Sequence, residues 1–212
     1  MRTLSLDIST SAGWALLGGT PAPNVLPDIL NKGLVKNPRK IAAHGPYPWS
    51  YKAAADWLAD ELLTVFLTQQ NLFGPIDVVV IEETNGSKSR YTQKVLEFIH
   101  KAVLDRFSTV PCVRVVYVDT REWRSKLGCT LSKEQKKQNA KLSKAKREAE
   151  AMGLKVDKKE LGIKGKVTKK HVAINWANEH WKLDLKAKDD DIADALCVGT
   201  AFLRGATLSD GT

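Results

Sequence analysis

The chain has 212 residues, of which 43% are hydrophobic and 27% are charged, and this composition is typical of a folded globular protein. Its length suits a single domain with a substantial core, and no apolar run approaches the ~18 residues that a membrane span requires. A net charge of +9 favours a polyanionic partner, while three widely spaced cysteines indicate neither a disulfide framework nor a zinc site.

The N-terminal part of the chain predicts three short strands. Residues 2–8 are apolar and β-compatible, and the small residues after them offer a turn before a second strand at 14–17. Residues 18–31 contain two adjacent glycines and three prolines, which predicts a loop. A third, edge-type strand is expected at 32–36, so the three strands form an antiparallel meander. Asp7 interrupts the first strand before an apolar signal core could form, so no targeting signal is expected.

The rest of the chain alternates between helices and strands. Apolar residues recur at spacings of three and four over 50–70, which is typical of a helix, and the β-branched run 77–81 predicts a strand covered on both faces. The elements predicted after it are a helix at 88–107, a strand at 113–118, a short helix at 120–127, and helices at 132–151, 168–182 and 189–204. This order predicts an α/β fold in which an antiparallel meander joins parallel strands through crossover helices.

The positive charge is concentrated in one segment. Residues 131–170 contain fourteen lysines and arginines against five acids, a net charge of +9, and the remainder of the chain is balanced. This pattern predicts a polyanion bound at one place, although a solvated lysine-rich helix has the same composition. We expect a single domain over 1–207 with a basic insertion at about 128–167. The lysines most suited to contact a DNA backbone are Lys133, Lys136, Lys137, Lys141 and Lys144.

Four acidic residues occupy positions where acids are not expected by chance. Asp7 lies inside an apolar strand, and Glu82 closes the run Val78–Ile81. Asp191 and Asp194 are three residues apart at the start of the last predicted helix, so they share one face of it. Several hard oxygen ligands suit Mg²⁺ or Mn²⁺, whereas zinc prefers histidine or cysteine. Two such ions can activate a water molecule and stabilise the leaving oxygen of a phosphodiester.

Each of these acids also has a plainer interpretation. Asp7 could cap the turn that follows it, and the acids Asp189–Asp191 could complement a helix N-terminus. Glu83 competes with Glu82, because neighbouring strand residues point to opposite faces of the sheet. The helix-start interpretation does not fit Asp194, which lies one turn inside the helix among apolar residues.

Two further segments are candidates for phosphate or DNA contact. Residues 86–90 open the helix that follows Glu82. Backbone N–H groups there, together with Lys88 and Arg90, could hold a phosphate, and an ordinary helix start is an equal alternative. Trp123 and the arginine after it could contact DNA, but a tryptophan on a short helix after a strand is more often part of the core. No Walker-type loop is present in the sequence, so no nucleotide cofactor is expected.

Three of these segments resemble the active-site motifs of one enzyme family. The stretch from Asp7 to Gly13, an aspartate before a small-residue turn, resembles the first-strand motif of RuvC-type Holliday junction resolvases, which belong to the RNase H-like superfamily. The Val-Ile-Glu segment ending at Glu82 is similar to the glutamate that closes their fourth strand. Asp191-Ile-Ala-Asp194-Ala-Leu is similar to the Asp-x-x-Asp-Ala-Leu of their final helix and is the most specific of the three. The resemblance spans essentially the whole chain, and the lysine-rich insertion looks most like phage-encoded members.

The resemblance implies an RNase H-like domain with a mixed five-stranded sheet flanked by helices. It further implies a homodimer that cuts two strands of a four-way DNA junction, in the cytoplasm of a bacterium or a phage-infected host. The family's two Mg²⁺ or Mn²⁺ ions would be held here by Asp7, Glu82, Asp191 and Asp194. Cellular members commonly have an aromatic residue three positions after the glutamate. Here that position is Asn85, which puts the family's strand opening and sequence preference in doubt.

Two alternatives remain open on the sequence alone. The same fold and metal chemistry would also suit flaps, replication forks, an RNA–DNA hybrid or structured RNA, because bound metal ions recognise phosphate and not branch geometry. A non-catalytic DNA-binding protein on the same fold would require the loss of at least one carboxylate, and none of the four is missing.

Overall fold

The structure, a computed structural model, describes residues 1–37, 45–83, 89–153 and 165–205. Its strands are β1 (Arg2–Ile8), β2 (Ser11–Gly18), β3 (Asp28–Lys36), β4 (Val78–Glu83) and β5 (Arg114–Asp119). They form one sheet in the spatial order β3-β2-β1-β4-β5. The first three strands pair antiparallel, and β4 is parallel to both β1 and β5. The predicted architecture, an antiparallel meander continued by parallel strands, is confirmed.

Helices cover both faces of this sheet. They are α1 (Trp49–Phe73), α2 (Arg90–Phe107), α3 (Thr120–Lys126), α4 (Lys133–Ala151), α5 (Lys169–Trp181) and α6 (Asp190–Leu203). On one face, Leu6 and Ile81 of the sheet pack with Phe66 of α1 and with residues of α2. On the other face, Val80 packs with Val198 of α6. Within the described ranges, no helix combines the length and the apolar character needed to cross a bilayer.

The third strand is longer than the sequence predicts. It begins at Asp28, directly after Pro27, and Leu17 pairs with Ile29 in the β2–β3 ladder. The expectation of a loop over 18–31 is therefore wrong for its last four residues. The physical reason is that a proline cannot donate a backbone hydrogen bond within a sheet but is tolerated just before a strand begins. The three prolines therefore indicate a loop only as far as Pro27, and a strand can begin at the next residue.

The carboxyl ends of two neighbouring parallel strands lie at the same edge of the sheet. Because β1 and β4 are parallel neighbours, Ile8 and Glu83 both end their strands at the edge that we call the carboxyl edge. Helix α6 lies close against β1 and β2 on one face. A Cβ added to Gly199 would lie only 2.6 Å from Ser5 Oγ, so only a residue without a side chain allows this approach. The close packing brings polar groups of α6 within reach of the strand ends.

Candidate active site

Three of the four predicted acids meet at the carboxyl edge. Asp7 lies near the end of β1, Glu82 near the end of β4, and Asp194 in the second turn of α6. One carboxylate oxygen from each residue lies within 4.8 Å of the other two. Asp194 is only 2% exposed, and the other two acids are partly buried. We call these three residues the carboxylate cluster.

Strand alternation decides which acid of the adjacent pair belongs to the carboxylate cluster. Val80 packs on the α6 face, and Glu82, two residues later, points to the same face. Glu83 points to the opposite face, toward Tyr117, which packs with the α1–α2 core. Burial, followed by the charge of Glu83, raises the pKa of Tyr117 to about 12. Glu83 is therefore separated from the cluster by the sheet itself.

The fourth predicted acid, Asp191, lies one helical turn before Asp194 but outside the three-oxygen cluster. Its Oδ2 accepts a hydrogen bond from Ser11 Oγ at 2.8 Å, and its Oδ1 accepts one from Lys170 Nζ at 3.1 Å. The same ammonium group lies 2.6 Å from Asp190 Oδ2. Burial alone would lower the pKa of Lys170, but these two carboxylates raise it above its ordinary value. Lys170 therefore offsets one of the two negative charges in the first turn of α6.

A glycine sets the distance between α6 and the sheet beside the cluster. A Cβ added to Gly13 would lie 2.0 Å from the carbonyl oxygen of Asp191 and 2.6 Å from the backbone nitrogen of Ile192. Gly13 is also the residue paired with Asp7 in the β1–β2 ladder. The first turn of α6 consequently rests on the backbone next to Asp7, which brings the acids of the strand and the helix together.

The electrostatics of the carboxylate cluster fit a divalent cation. Burial raises the pKa of Asp7 well above its ordinary value, and the charges of Glu82, Asp194 and Asp191 raise it further. Burial likewise raises the pKa of Asp194 to about 7, against the opposing charge of Arg124. Among the described residues, Asp194 Oδ1 is buried without a hydrogen-bond partner. Hard oxygen donors that are crowded, desolvated and partly unpaired are the ligands that Mg²⁺ or Mn²⁺ binds.

These shifts predict that the metal-free protein loses stability as the pH rises from about 4 to about 7. Folded Asp194 has a pKa of about 7 against an ordinary 3.8, so in this interval the folded chain keeps a proton that the unfolded chain has released. The free energy of unfolding therefore falls with pH, by on the order of a few kcal/mol at about 1.4 kcal/mol per pKa unit. Denaturant unfolding in EDTA across this range measures the slope.

The matched control for this pH dependence is Asp7→Asn, which removes a second acid with a raised pKa. Burial lowers the pKa of His100, so that residue acts in the opposite direction and costs stability as the pH falls below its ordinary 6.5. Because His100 is common to both proteins, the difference between their slopes reports the carboxylates. Equal slopes in the two proteins would show that Asp7 contributes nothing to the pH dependence, and a wild-type slope of zero or of opposite sign would contradict the raised pKa of Asp194.

The short helix α3 supplies two side chains that the sequence analysis did not assign to the carboxylate cluster. Trp123 Nε1 donates a hydrogen bond to Glu82 Oε1 at 2.9 Å, and Arg124 Nη2 lies 2.9 Å from Asp194 Oδ2. Trp123 is part of the core, as predicted, and Arg124 is buried as well. The only available signal was position, because α3 directly follows β5 at the carboxyl edge. Nothing in the spacing indicates which acids these two residues reach.

The lysines predicted to contact DNA lie on α4. All of them are exposed, and they are Lys133, Lys136, Lys137, Lys141 and Lys144. Asn139 ties this helix to the body through two hydrogen bonds with the backbone of Val167, at 2.7 and 3.0 Å. Val167 comes just before α5, the helix that carries Lys170. The basic helix is therefore attached beside the element that touches the acids of α6.

The second predicted phosphate-binding segment is only partly described. Arg90 is exposed in the first turn of α2, and Ser89 caps that helix by accepting a hydrogen bond from the Thr92 N–H at 3.4 Å. Lys88 and Asn85 lie outside the described residues. The phosphate site at 86–90 thus stays a prediction.

Comparison with solved structures identifies the fold. The sheet order and the flanking helices define an RNase H-like fold. Two structures of Thermus thermophilus RuvC, one of them in complex with Holliday junction substrate, are similar to the chain with a TM-score of 0.58 and 14% identity, and each match covers 96% of this chain and 94% of that one. The yeast mitochondrial Holliday junction resolvase Ydc2 matches with a TM-score of 0.45 and 10% identity over 96% of this chain and 79% of its own. No protein-family model matches the sequence, and neither does any curated protein. The chain has a RuvC-like fold.

Proposed function

We propose that this protein is a metal-dependent endonuclease that resolves four-way DNA junctions. The observation that carries the proposal is the cluster of Asp7, Glu82 and Asp194 at the carboxyl edge of an RNase H-like sheet. The choice of substrate is supported by the similar T. thermophilus RuvC, whose structure contains a Holliday junction substrate. Hydrolysis of a phosphodiester is one of the reactions that clustered carboxylates with hard divalent ions catalyse.

Different residues of the chain would have different roles in this reaction. Asp7, Glu82 and Asp194 would hold one Mg²⁺ or Mn²⁺ ion, and Asp191, one turn away, would join them in holding a second. When bound, the ions supply Lewis-acid activation of water and stabilise the leaving oxygen. Burial of Asp194 and partial burial of Asp7 and Glu82 limit the access of water to their oxygens, which strengthens their attraction for a bound cation. Lys170 is half-exposed beside Asp191. Its ammonium group can therefore leave the carboxylate and bind a phosphate oxygen of the DNA instead.

The exposed lysines of α4 are proposed to hold the DNA backbone. We expect Lys137→Gln/Lys141→Gln to weaken junction binding and to reduce the slope of log affinity against log salt by about 0.9 for each phosphate that the variant no longer neutralises. Stability should not change, because both side chains are exposed and no ion pair of theirs is described. Binding titrations between 50 and 200 mM salt in EDTA provide the measurement.

The matched control for the lysine variant is Lys101→Gln/Lys182→Gln. It removes the same charge from α2 and from the C-terminal end of α5, where both lysines are exposed. Its salt slope should equal that of the wild-type protein. If both variants show the same reduction in the salt slope, the basic segment contributes only net charge and does not contact the DNA backbone directly.

Two symmetric cuts in a four-way junction are most simply made by a C2 homodimer, and we include this state in the proposal. Each protomer would then carry one complete carboxylate cluster. Analytical ultracentrifugation with and without a four-way junction tests this part separately. A monomer that still makes paired cuts would contradict the proposed dimer and leave the proposed nuclease activity unaffected.

The experiment that tests the function compares labelled four-way, three-way, flap, duplex and RNA–DNA hybrid substrates in Mg²⁺, with an EDTA control. Paired symmetric nicks in the four-way junction that EDTA abolishes are the expected result. Preferential cutting of the flap, or of the hybrid, would keep the site and replace the substrate; a replication fork and a structured RNA added to the same set extend the comparison to the remaining alternatives. Tight, salt-sensitive binding with no cutting of any substrate would leave a non-catalytic DNA-binding protein.

A further inference from the structure

We propose that α3 is the positioning element of the carboxylate cluster: Trp123 fixes the carboxylate of Glu82, and Arg124 fixes the carboxylate of Asp194. The two residues are adjacent on one helix, yet they reach acids on two different elements, β4 and α6. The inference rests on the proposed function in one respect, because it assigns a divalent cation to the cluster.

The environment of Arg124 shows that its buried charge is committed to the cluster. Its side chain is 7% exposed, and Nη2 lies 2.9 Å from Asp194 Oδ2. Nη1 donates to the carbonyl oxygen of Lys169 at 3.3 Å, and the guanidinium lies 4.1 Å from the centroid of the Trp123 ring. A buried guanidinium is costly unless it is paired. Here the paired acid belongs to the cluster itself.

The pairing also determines which oxygen of Asp194 remains open. Oδ2 is occupied by Arg124, and Oδ1 is the buried oxygen that has no hydrogen-bond partner among the described residues. A hydrogen bond at Oδ2 restrains rotation of the carboxylate and so keeps Oδ1 in one position. Arg124 therefore presents Oδ1 as a fixed ligand and offsets one of the three negative charges gathered at this edge.

Trp123 acts on Glu82 in the same way. The indole is fully buried and packs with Val118, Leu127 and Cys197, so its N–H has a fixed direction. That N–H occupies Oε1 of Glu82 at 2.9 Å. Partners that orient a ligand in this manner typically change metal affinity by about 10–100-fold when they are removed.

Helix α3 is itself anchored to the strand that carries Glu82. Asp119 caps the helix, since its Oδ1 accepts hydrogen bonds from the N–H groups of Arg121 and Glu122 at 2.6 and 3.0 Å. Thr120 Oγ1 donates to the carbonyl oxygen of Glu83 at 3.0 Å. The start of the helix is thus attached to the end of β4, which gives the two positioning side chains a rigid base next to the cluster.

The test measures Mn²⁺ binding without DNA by titration calorimetry, together with melting temperatures. Trp123→Phe removes the indole N–H and keeps an aromatic ring in the core, and we expect it to weaken Mn²⁺ binding about tenfold. Arg124→Met should also weaken binding: although it removes a positive charge that opposes a cation at the cluster, it releases the Asp194 carboxylate from its fixed contact at Oδ2. Arg124→Lys should recover part of the loss, because it keeps the charge but not the planar fork.

The matched control is Trp181→Phe. Trp181 Nε1 also donates a hydrogen bond at 2.9 Å, but its acceptor is the carbonyl oxygen of Pro27, away from the acids. This variant should bind Mn²⁺ as the wild-type protein does, whatever its melting temperature. A purely structural role for α3 would lower the melting temperature of Trp123→Phe and leave its Mn²⁺ affinity unchanged.

The outcomes separate this inference from the proposed function. Wild-type Mn²⁺ affinity in both Trp123→Phe and Arg124→Met would overturn the inference while junction cleavage stands. Weakened affinity in the variants of a protein that cuts no branched DNA would keep the inference and overturn the function. A wild-type protein that binds no Mn²⁺ would overturn both.

Discussion

Asp7→Asn is expected to abolish junction cleavage and, at the same time, to stabilise the metal-free protein. Asp7 contributes one of the three oxygens that lie within 4.8 Å of one another, so its substitution removes one of the carboxylates proposed to hold the metal ions. Divalent ions supply several kcal/mol of charge stabilisation in such reactions, and at about 1.36 kcal/mol per tenfold the loss in rate is about 10³-fold or more.

The gain in stability follows from the same residue. Burial and the charges of Glu82 and Asp194 raise the pKa of Asp7, which means that its ionised form is unfavourable in the folded chain. An amide of the same shape relieves that repulsion by on the order of 1 kcal/mol, or about 2–4 °C in melting temperature for a chain of this size. Calorimetric melting in EDTA measures this. An Asp7→Asn protein that melts below the wild-type protein at pH 8 would show that the acids are not under electrostatic strain.

The fold could be predicted in large part because its signals are local. The apolar run of β4 and the helical period of α1 each lie within one stretch of chain, and their alternation fixes an α/β plan. The start of β3 could not be predicted, because the residues after Pro27 have a mixed composition and become a strand only by pairing with β2. Pairing is a long-range event that no short window reports.

The same distinction between local and long-range signals applies to the candidate site. Asp7, Glu82 and Asp194 could be selected because an acid inside an apolar pattern is costly to bury and therefore conspicuous. The residues that contact these acids cannot be recognised from the sequence in this way. Arg124 lies 70 positions from Asp194 in the chain, and its ion pair exists only because α3 and α6 pack on the same face of the sheet.

Asp191 illustrates a limit of helical spacing as a guide. The i,i+3 relation to Asp194 correctly predicts a shared face of α6. It does not predict that Lys170 and Ser11 engage the first acid while the second lies buried in the cluster. The two aspartates of one motif therefore differ in burial and in partners, which is consistent with different roles in the proposed reaction.

Gly13→Ala is expected to reduce both stability and cleavage, although it adds a single methyl group outside the carboxylate cluster. The new Cβ would lie 2.0 Å from the Asp191 carbonyl oxygen, which belongs to the backbone and cannot turn aside. Either the first turn of α6 or β2 must move by roughly 1 Å. Overpacking of this kind costs about 1–3 kcal/mol, and a misplacement of about 1 Å in a catalytic group costs about 10²-fold in rate.

The matched control is Gly18→Ala, at the other end of the same strand. There the new Cβ would lie 3.2 Å from Leu30 Cδ1, the end of a flexible side chain, so a small side-chain shift accommodates it. We expect this variant to keep wild-type cleavage and nearly wild-type stability. Melting temperatures and single-turnover cleavage of a four-way junction compare the two alanine variants directly. If Gly13→Ala cuts as fast as Gly18→Ala, then the packing of α6 on β2 does not set the geometry of the acids, and the close approach at Gly13 serves stability alone.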